Sequence, residues 1–368
     1  MPTRFVSSCV DATADSVARV ERKTPHRPSV QQFLHALAGK ERILVTTHED
    51  PDPDGLASAI GLSYLLGQLM PAAVVVCSFK GHMGGGLNRV FAEYTVPHYV
   101  PWDQLRLSNF DAICLVDAQP EFTNSPLPQE ILPLVTVDHH PPRRGGRHAI
   151  AFRDVRREVG ATSTIIFSYF MEKDVDIPKD IAALMLYGIE SDLAGLAGHP
   201  GDLDNIALST LTLVADTRKL YKIRFVDLPQ SYYVAFFNAL SNAVTYDRVI
   251  VSHLPEIDSP EQPAVIADFL LRYEHANWVL VTAVSGQGLV LSLRTDTPEP
   301  LAGAVMSRLI CGVGKGGGHP TKAGGYAVLA DTTPESMVRM RETLKRRLLK
   351  ALGVRHAKAH PLIPRTKQ

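Results

Sequence analysis

The chain predicts an α/β fold in two bodies, and three observations carry that prediction. From Arg42 to about residue 200, short β-rich runs alternate with segments whose apolar residues recur at helical spacing. A wholly helical stretch follows, after which the alternation resumes. At 368 residues the chain is long enough to bury two separate cores. The expected architecture is an N-terminal domain with a parallel β-sheet flanked by helices, joined by a helical linker to a smaller α/β C-terminal domain, with the active-site cleft between them.

Residues 1–40 read as an N-terminal extension, flexible to about residue 27, with helical spacing only in its last dozen residues. A catalytic domain spans 41–202. It begins with "RILVTTH", an Asp/Pro/Gly turn, and the helix "LASAIGLSYLLGQL". "AAVVVCSF", "FDAICLVDA" and "LVTVDHH" are rich in β-branched residues and read as strands, whereas "ATSTIIFSYFMEK" and "PKDIAALMLYGIESDL" read as helices. Residues 203–245 form the helical linker. "DRVIVSHL", "WVLVTAVSG" and "LVLSLRT" are strands of the second domain, 246–345, and 346–368 is a basic tail that begins inside the last helix.

A 45% hydrophobic content fits a globular protein and excludes a disordered one. The 38 basic and 38 acidic residues cancel, so no overall field draws the chain to a long polyanion or an anionic membrane. Without a signal-like apolar core or a membrane-length apolar window, a cytoplasmic location with no membrane partner is expected. Cys9, Cys77, Cys114 and Cys311 are far apart and form no CxxC pair, which argues for reduced thiols, the last three of them buried.

The chemistry concentrates in "HEDPDPDG", where one imidazole and four carboxylates occupy His48 to Asp54 directly after the apolar run Ile43–Val45. Such a cluster repels itself unless a cation sits within it. His48, Asp52 and Asp54 lie on a turn at the end of a strand, and comparable groups recur at Asp117, at Asp138–His139–His140 and at Asp192. Ligands of open α/β sheets bind at the carboxyl ends of the strands. Each group alone has an ordinary explanation as a turn, a helix cap or a surface pair. Acidic and imidazole positions recurring in this order at strand or helix ends exceed what capping requires. Carboxylates with one or two imidazoles suit Mn²⁺ or Mg²⁺, whereas structural zinc favours thiolates. Two hard divalent ions, roughly 3.5–4 Å apart, are therefore expected.

"HEDPDPDG", "LVDA", "VDHHP" and "GIESD" resemble, in order and spacing, the motifs of the DHH phosphoesterase superfamily. "GKGGGHPTKAGG" resembles the GGGH motif of the DHH-associated C-terminal domain, so the likeness covers about residues 40–340. The layout is closest to the nanoRNase and pAp-phosphatase branch, and less like the larger RecJ or the membrane-anchored cyclic-dinucleotide phosphodiesterases. The resemblance implies one metal held by His48, Asp52 and Asp117, and another by Asp54, Asp117, His139 and Asp192. It implies His140 facing the phosphate, Asp138 orienting a histidine, and a bridging hydroxide as nucleophile. Manganese is the first choice of ion, with magnesium or cobalt as alternatives.

"GVGKGG" formally matches GxGxxG but follows a helix-like segment, which rules out a dinucleotide fingerprint. The run Gly316, Gly317 and Gly318 reads instead as a loop that lets backbone N–H groups approach an anion, with His319 and Lys322 adding donors. The resemblance adds Arg294, on a nearby strand, to this grip on a terminal nucleotide. Arg143, Arg144 and Arg147, the Gly-rich stretch Lys80 to Arg89, and Ser163 at a helix start are subsidiary candidates.

The implied activity is hydrolysis of 5′-phosphorylated di- to tetraribonucleotides to mononucleotides. Alternatives are removal of the 3′-phosphate of pAp and cleavage of linear dinucleotides from cyclic-dinucleotide turnover. A non-catalytic nucleotide sensor would show a damaged ligand set, and this chain keeps every ligand position. Long nucleic acid is not an expected partner, and a homodimer is left open.

Overall fold

Arg42–Thr46 (β1) reads RILVT, apolar through Ile43–Val45, because both faces of its sheet are covered. Ile43 and Val45 face one core, whereas Leu44 packs with Ile113 and Leu127 under Trp102, Leu105 and Phe110 on the opposite face. The computed structural model describes residues 13, 15–20, 27–82, 86–142, 149–193, 200–297, 299–318, 320–331, 333–355 and 357–364. They form two compact units, the first ending at Val226 and the second beginning at Asp227.

In the first unit β1 is joined by Val74–Cys77 (β2), Ala112–Val116 (β3), Val135–Asp138 (β4) and Phe152–Val155 (β5), all parallel, in the order β2-β1-β3-β4-β5. β5 reads FRDV, too polar to be recognised in sequence; Phe152 and Asp154 are buried and Arg153 and Val155 partly so. The helices are Val30–Ala36 (α1), Pro53–Leu69 (α2), Arg89–Thr95 (α3), Thr162–Glu172 (α4), Lys179–Leu193 (α5), Asp202–Val214 (α6) and Thr217–Arg224 (α7). Asp52 caps α2 by accepting from the Gly55 N–H at 2.9 Å, and Pro53 supplies a preset first turn. From Pro53 to Leu62 every residue of α2 is buried, as befits a helix enclosed on all sides. The reading of residues 1–27 as flexible needs correction, since 15–20 are helical and Val17 lies in the core with Val30, Phe33 and Leu37.

The second unit holds Gln230–Asn242 (α8), Val244–Tyr246 (β6), Val249–Glu256 (β7), Gln262–Leu270 (α9), Trp278–Ser285 (β8), Gly288–Thr295 (β9) and Ala302–Ile310 (α10). Gly314–Gly318 (β10), Lys322–Val328 (β11), Pro334–Ala351 (α11) and Ala359–Pro361 (β12) complete it, in a sheet ordered β10-β11-β9-β8-β7-β6-β12. Only β7 and β8 pair in parallel; the other neighbours are antiparallel. Val249, Val251, Leu280 and Leu291 pack with Val305, Met306, Leu344 and Leu348, while Ile250, Val279 and Val281 pack with Ala239, Ile266 and Leu270. Helices thus cover both faces. Of residues 203–245, read as joining helices, α6 and α7 belong to the first unit and α8 to the second.

Two expectations for this region fail. Residues 359–361, assigned to a tail, pair with β6 and extend the sheet. Cys311, expected inside, is exposed where α10 ends, whereas Cys77 and Cys114 are buried; Cys9 lies outside the described residues.

Candidate metal centre

The ends of β1, β3 and β4 and two helices bring the acidic and imidazole groups together. His48 follows β1, and its Nδ1–H donates to the Glu49 carbonyl at 2.9 Å, which leaves Nε2 facing inward. That nitrogen lies 3.7 Å from Asp52 Oδ1 and 3.6 Å from Asp117 Oδ2. Asp117 follows β3 in the left-handed region, φ 53°, a conformation that costs a non-glycine residue of order 1–3 kcal/mol. The Thr162 hydroxyl donates to Asp117 Oδ1 at 2.8 Å, and His139 Nε2 stands 3.5 Å from the same oxygen and 3.3 Å from Asp192 Oδ2.

Asp54 is wholly buried in the first turn of α2 and reaches the start of α4. Its two oxygens accept the N–H groups of Thr162 at 2.6 Å and Ser163 at 2.9 Å. α4 has no capping side chain of its own, so the carboxylate of Asp54 fills that role at the positive end of the helix. The anion near Ser163 is therefore the protein's own aspartate. Each carboxylate oxygen keeps a further lone pair for another partner.

Three overlapping groups result: His48, Asp52 and Asp117; Asp117, His139 and His140; and Asp54, His139 and Asp192. Within each, one ligand atom per residue lies within 4.8 Å of the others. Asp117 and His139 each belong to two groups. Asp117 Oδ2, His139 Nε2 and Thr47 Oγ1 are buried without a hydrogen-bond partner. Orphaned acceptors of this kind are what a bound cation satisfies. Gly55 keeps the space open, since a Cβ there would stand 2.6 Å from Thr47 Oγ1, 3.0 Å from His48 Nε2 and 3.2 Å from Asp117 Oδ2.

The electrostatics agree. Burial, followed by the charge of Asp192, pushes the Asp54 carboxyl up to about 7. Burial and the charge of Asp54 raise Asp117 well above the usual carboxylate range. For His139, burial alone would lower the imidazole pKa, but the nearby Asp192 carboxylate and the charge of Asp54 outweigh it and carry the group to about 9. His48 is raised likewise, against burial, chiefly by Asp52. Asp52 alone is shifted the other way: against the opposing effect of burial, His48 chiefly holds it below the usual carboxylate range.

Glu49 and Asp50 belong to none of the three groups and serve the turn. The Glu49 N–H donates to the Asn124 carbonyl at 2.7 Å, the Asp50 N–H to that of Lys80 at 3.0 Å, and Asp50 Oδ1 accepts from the His82 N–H at 2.8 Å. Lys80 pairs with Glu49, so residues 80–82 of the Gly-rich stretch brace the acidic turn; 83–85 lie outside the described residues. Arg143, Arg144, Arg147 and His319 also lie outside them.

Sequence reasoning overlooked several residues here. Gly55 was visible in "DPDG" but reads as an ordinary turn glycine, and Thr162 carries no signal in sequence. Gly188 is a third. A Cβ on it would lie 3.1 Å from Ala57 Cβ, from Asp54 Cα and from the Pro53 carbonyl, so the glycine lets α5 approach α2 and bring Asp192 toward Asp54.

In the second unit, Arg294, Gly318 and Lys322 line one concavity of about 440 Å³ with Ser292, Pro260 and Glu261. The volume is in the range of small-ligand sites. Arg294 is held by Asp268 Oδ1 at 2.6 Å and Ser292 Oγ at 2.8 Å. The expected glycine loop is a strand. Gly314–Gly318 pairs antiparallel with Lys322–Val328, and Gly316 and Gly317 sit in that hairpin, away from the concavity. Glycine is required because a Cβ would lie 2.0 Å from the Tyr326 carbonyl oxygen at Gly314 and 2.5 Å from that of Gly324 at Gly316.

Residues 42–189 match the DHH family, N-terminal domain. This stretch is a DHH-family domain. An uncharacterized protein of Methanocaldococcus jannaschii is 25% identical over 323 residues, 86% of this chain and 65% of that protein. A probable manganese-dependent inorganic pyrophosphatase of Lactobacillus gasseri is 31% identical over 177 residues, 47% of this chain and 54% of its own. The chain thus spans 65% of the first relative's length and 54% of the second's. An exopolyphosphatase-related protein from Bacteroides fragilis shares the fold, with a TM-score of 0.67 at 17% identity, over 88% of this chain and 96% of that one. The α/β architecture, with the parallel five-stranded sheet of the DHH domain and a second mixed sheet, follows that pattern.

Proposed function

We propose that the DHH domain binds two divalent cations, manganese first, and that the chain hydrolyses 5′-phosphorylated di- to tetraribonucleotides to mononucleotides. The observation that carries this reading is the convergence of three ligand groups on Asp117 and His139, with buried acceptor atoms left unpaired at their centre. The manganese-dependent relative, as named, supports the choice of ion. His48, Asp52 and Asp117 would hold one cation, and Asp54, Asp117, His139 and Asp192 the other. When bound, such a pair lowers the pKa of a shared water and takes up charge on the phosphoryl oxygens.

The side chains supply the rest. His140 Nδ1 is engaged by Asp138 Oδ1 at 2.9 Å and lies 3.6 Å from Asp117 Oδ1, which fixes the ring beside the proposed ion sites, where it would meet a phosphoryl or leaving oxygen. Arg294 and Lys322 place cationic donors in a concavity of nucleotide size, which fits a terminal nucleotide phosphate. No helix among the described residues is long and apolar enough to cross a membrane.

The test is kcat/KM with Mn²⁺ for a 5′-phosphorylated diribonucleotide, for pAp, for a linear dinucleotide such as pGpG and for inorganic pyrophosphate in one buffer. A preference for short RNA supports the proposal. A preference for pAp or pyrophosphate keeps the chemistry and overturns the substrate. Stoichiometric nucleotide binding without turnover would make the chain a sensor.

A further inference from the structure

Gln119 is fully buried two residues beyond Asp117, and its amide joins Asp138, His140 and Arg153. Its Nε2 donates to Asp138 Oδ2 at 2.6 Å and to the His140 carbonyl at 3.0 Å. Its Oε1 accepts from Arg153 Nη1 at 3.2 Å, and Arg153 Nη2 is fixed in turn by Glu121 at 2.9 Å. The orientation of this amide is settled by its partners: a guanidinium only donates and a carboxylate only accepts, so oxygen faces Arg153 and nitrogen faces Asp138. Asp138, wholly buried, uses its other oxygen for the ring Nδ1 of His140 at 2.9 Å and for the His140 backbone N–H at 3.2 Å.

We propose that Gln119, oriented by Arg153, is a positioning residue that holds Asp138 and through it sets the ring of His140 toward the substrate phosphate. The assignment rests on the phosphoester reading of the site. Its physical basis is that a buried carboxylate turns toward whatever donors surround it. With the amide in place, Asp138 Oδ2 is committed to Gln119 and Oδ1 to His140. Without it, Oδ2 has lost a donor and the carboxylate is free to rotate away from the imidazole. Among the described residues, the guanidinium of Arg153, carried on edge strand β5, connects to the site through this amide.

Gln119→Met keeps the length and removes both polar functions, while Gln119→Glu keeps the shape and removes the donor. For both, kcat on the preferred substrate should fall about tenfold to a hundredfold, with KM and the Mn²⁺-induced rise in Tm unchanged. Arg153→Met should lower kcat in the same direction, and Q119M/R153M should be no worse than Q119M, because the two side chains act in series. A second readout needs no turnover. In ¹⁵N-histidine-labelled protein with Mg²⁺, the Nδ1–H signal assigned to His140 should weaken or vanish in Q119M while that of His48 persists. Wild-type kcat in the Glu and Met variants, additive losses in the double variant, or an unchanged His140 signal would each overturn the assignment. If the wild type hydrolyses none of the substrates, the functional reading fails and the imidazole signal still decides the role of Gln119.

Discussion

Asp117 shows how one residue becomes the pivot of a site. Its left-handed backbone turns the carboxylate back over the end of β3, Thr162 fixes one oxygen, and the other is left bare beside His48. Asp117→Ala should remove the side chain shared by both proposed ion sites and abolish turnover, checked by single-turnover assay with Mn²⁺ in excess. Gly55→Ala tests the same space from the opposite side. Its methyl would intrude on Thr47, His48 and Asp117, so the metal-free Tm should fall and the further rise that Mn²⁺ induces should be lost. The pH dependence follows from the raised groups. Asp54, Asp117, His48 and His139 all hold protons more tightly in the folded chain than in the unfolded one. Their contribution to stability is complete below the unfolded values and is lost as pH rises, through about 7 for Asp54 and about 9 for His139. Chelated protein should therefore melt at progressively lower temperature from pH 5 to about 9, and Mn²⁺ should protect more strongly at the alkaline end, where protons no longer compete. A pH-independent metal shift in scanning calorimetry would contradict this ligand set.

Helices meet the site through their ends and through glycine. α2 starts at Asp52 and Asp54, α4 aims its first N–H groups at Asp54, and α5 delivers Asp192 from its last turn. The close approach of α5 to α2 depends on Gly188. Gly188→Val should push the two helices apart and displace Asp192 from Asp54, weakening Mn²⁺ binding roughly tenfold, which isothermal titration would measure. Most of these elements were legible in sequence, because α2, α4 and α5 and strands β1 to β4 carry clear apolar patterns. β5 was not, since FRDV owes its place to pairing with β4 and to the buried Asp154–Arg156 pair, which only the fold brings together. The glycine run was legible as composition and misread as conformation. The strand's close pairing needs glycine at Gly314, Gly316 and Gly318, where the neighbouring backbone leaves no room for a Cβ, a fact of packing that the sequence carries only as an unexplained row of glycines.

Each unit buries its own core, the first around α2 and the parallel sheet, the second on both faces of the seven-stranded sheet. Residues 1–226 expressed alone should therefore fold and bind Mn²⁺, yet lose turnover of short RNA if the second unit grips the nucleotide. Thermal shift with metal and a nucleotide-hydrolysis assay on that fragment would separate the two properties. The amino-acid sequence by itself determined the alternation of strands and helices, the kind of atoms gathered at the strand ends, and the preference for hard cations. These are local properties, set by periodicity and by the chemistry of each side chain. Tertiary structure alone decided which acidic residues meet. It separated Asp52 and Asp54, which converge with the histidines, from Glu49 and Asp50, which brace the turn, although all four stand within six positions of one another. It also linked Arg153 to His140 through Gln119, across strands far apart in the chain. The reason is that hydrogen bonding and desolvation depend on neighbours in space, and a parallel sheet places as neighbours residues that the chain keeps tens of positions apart.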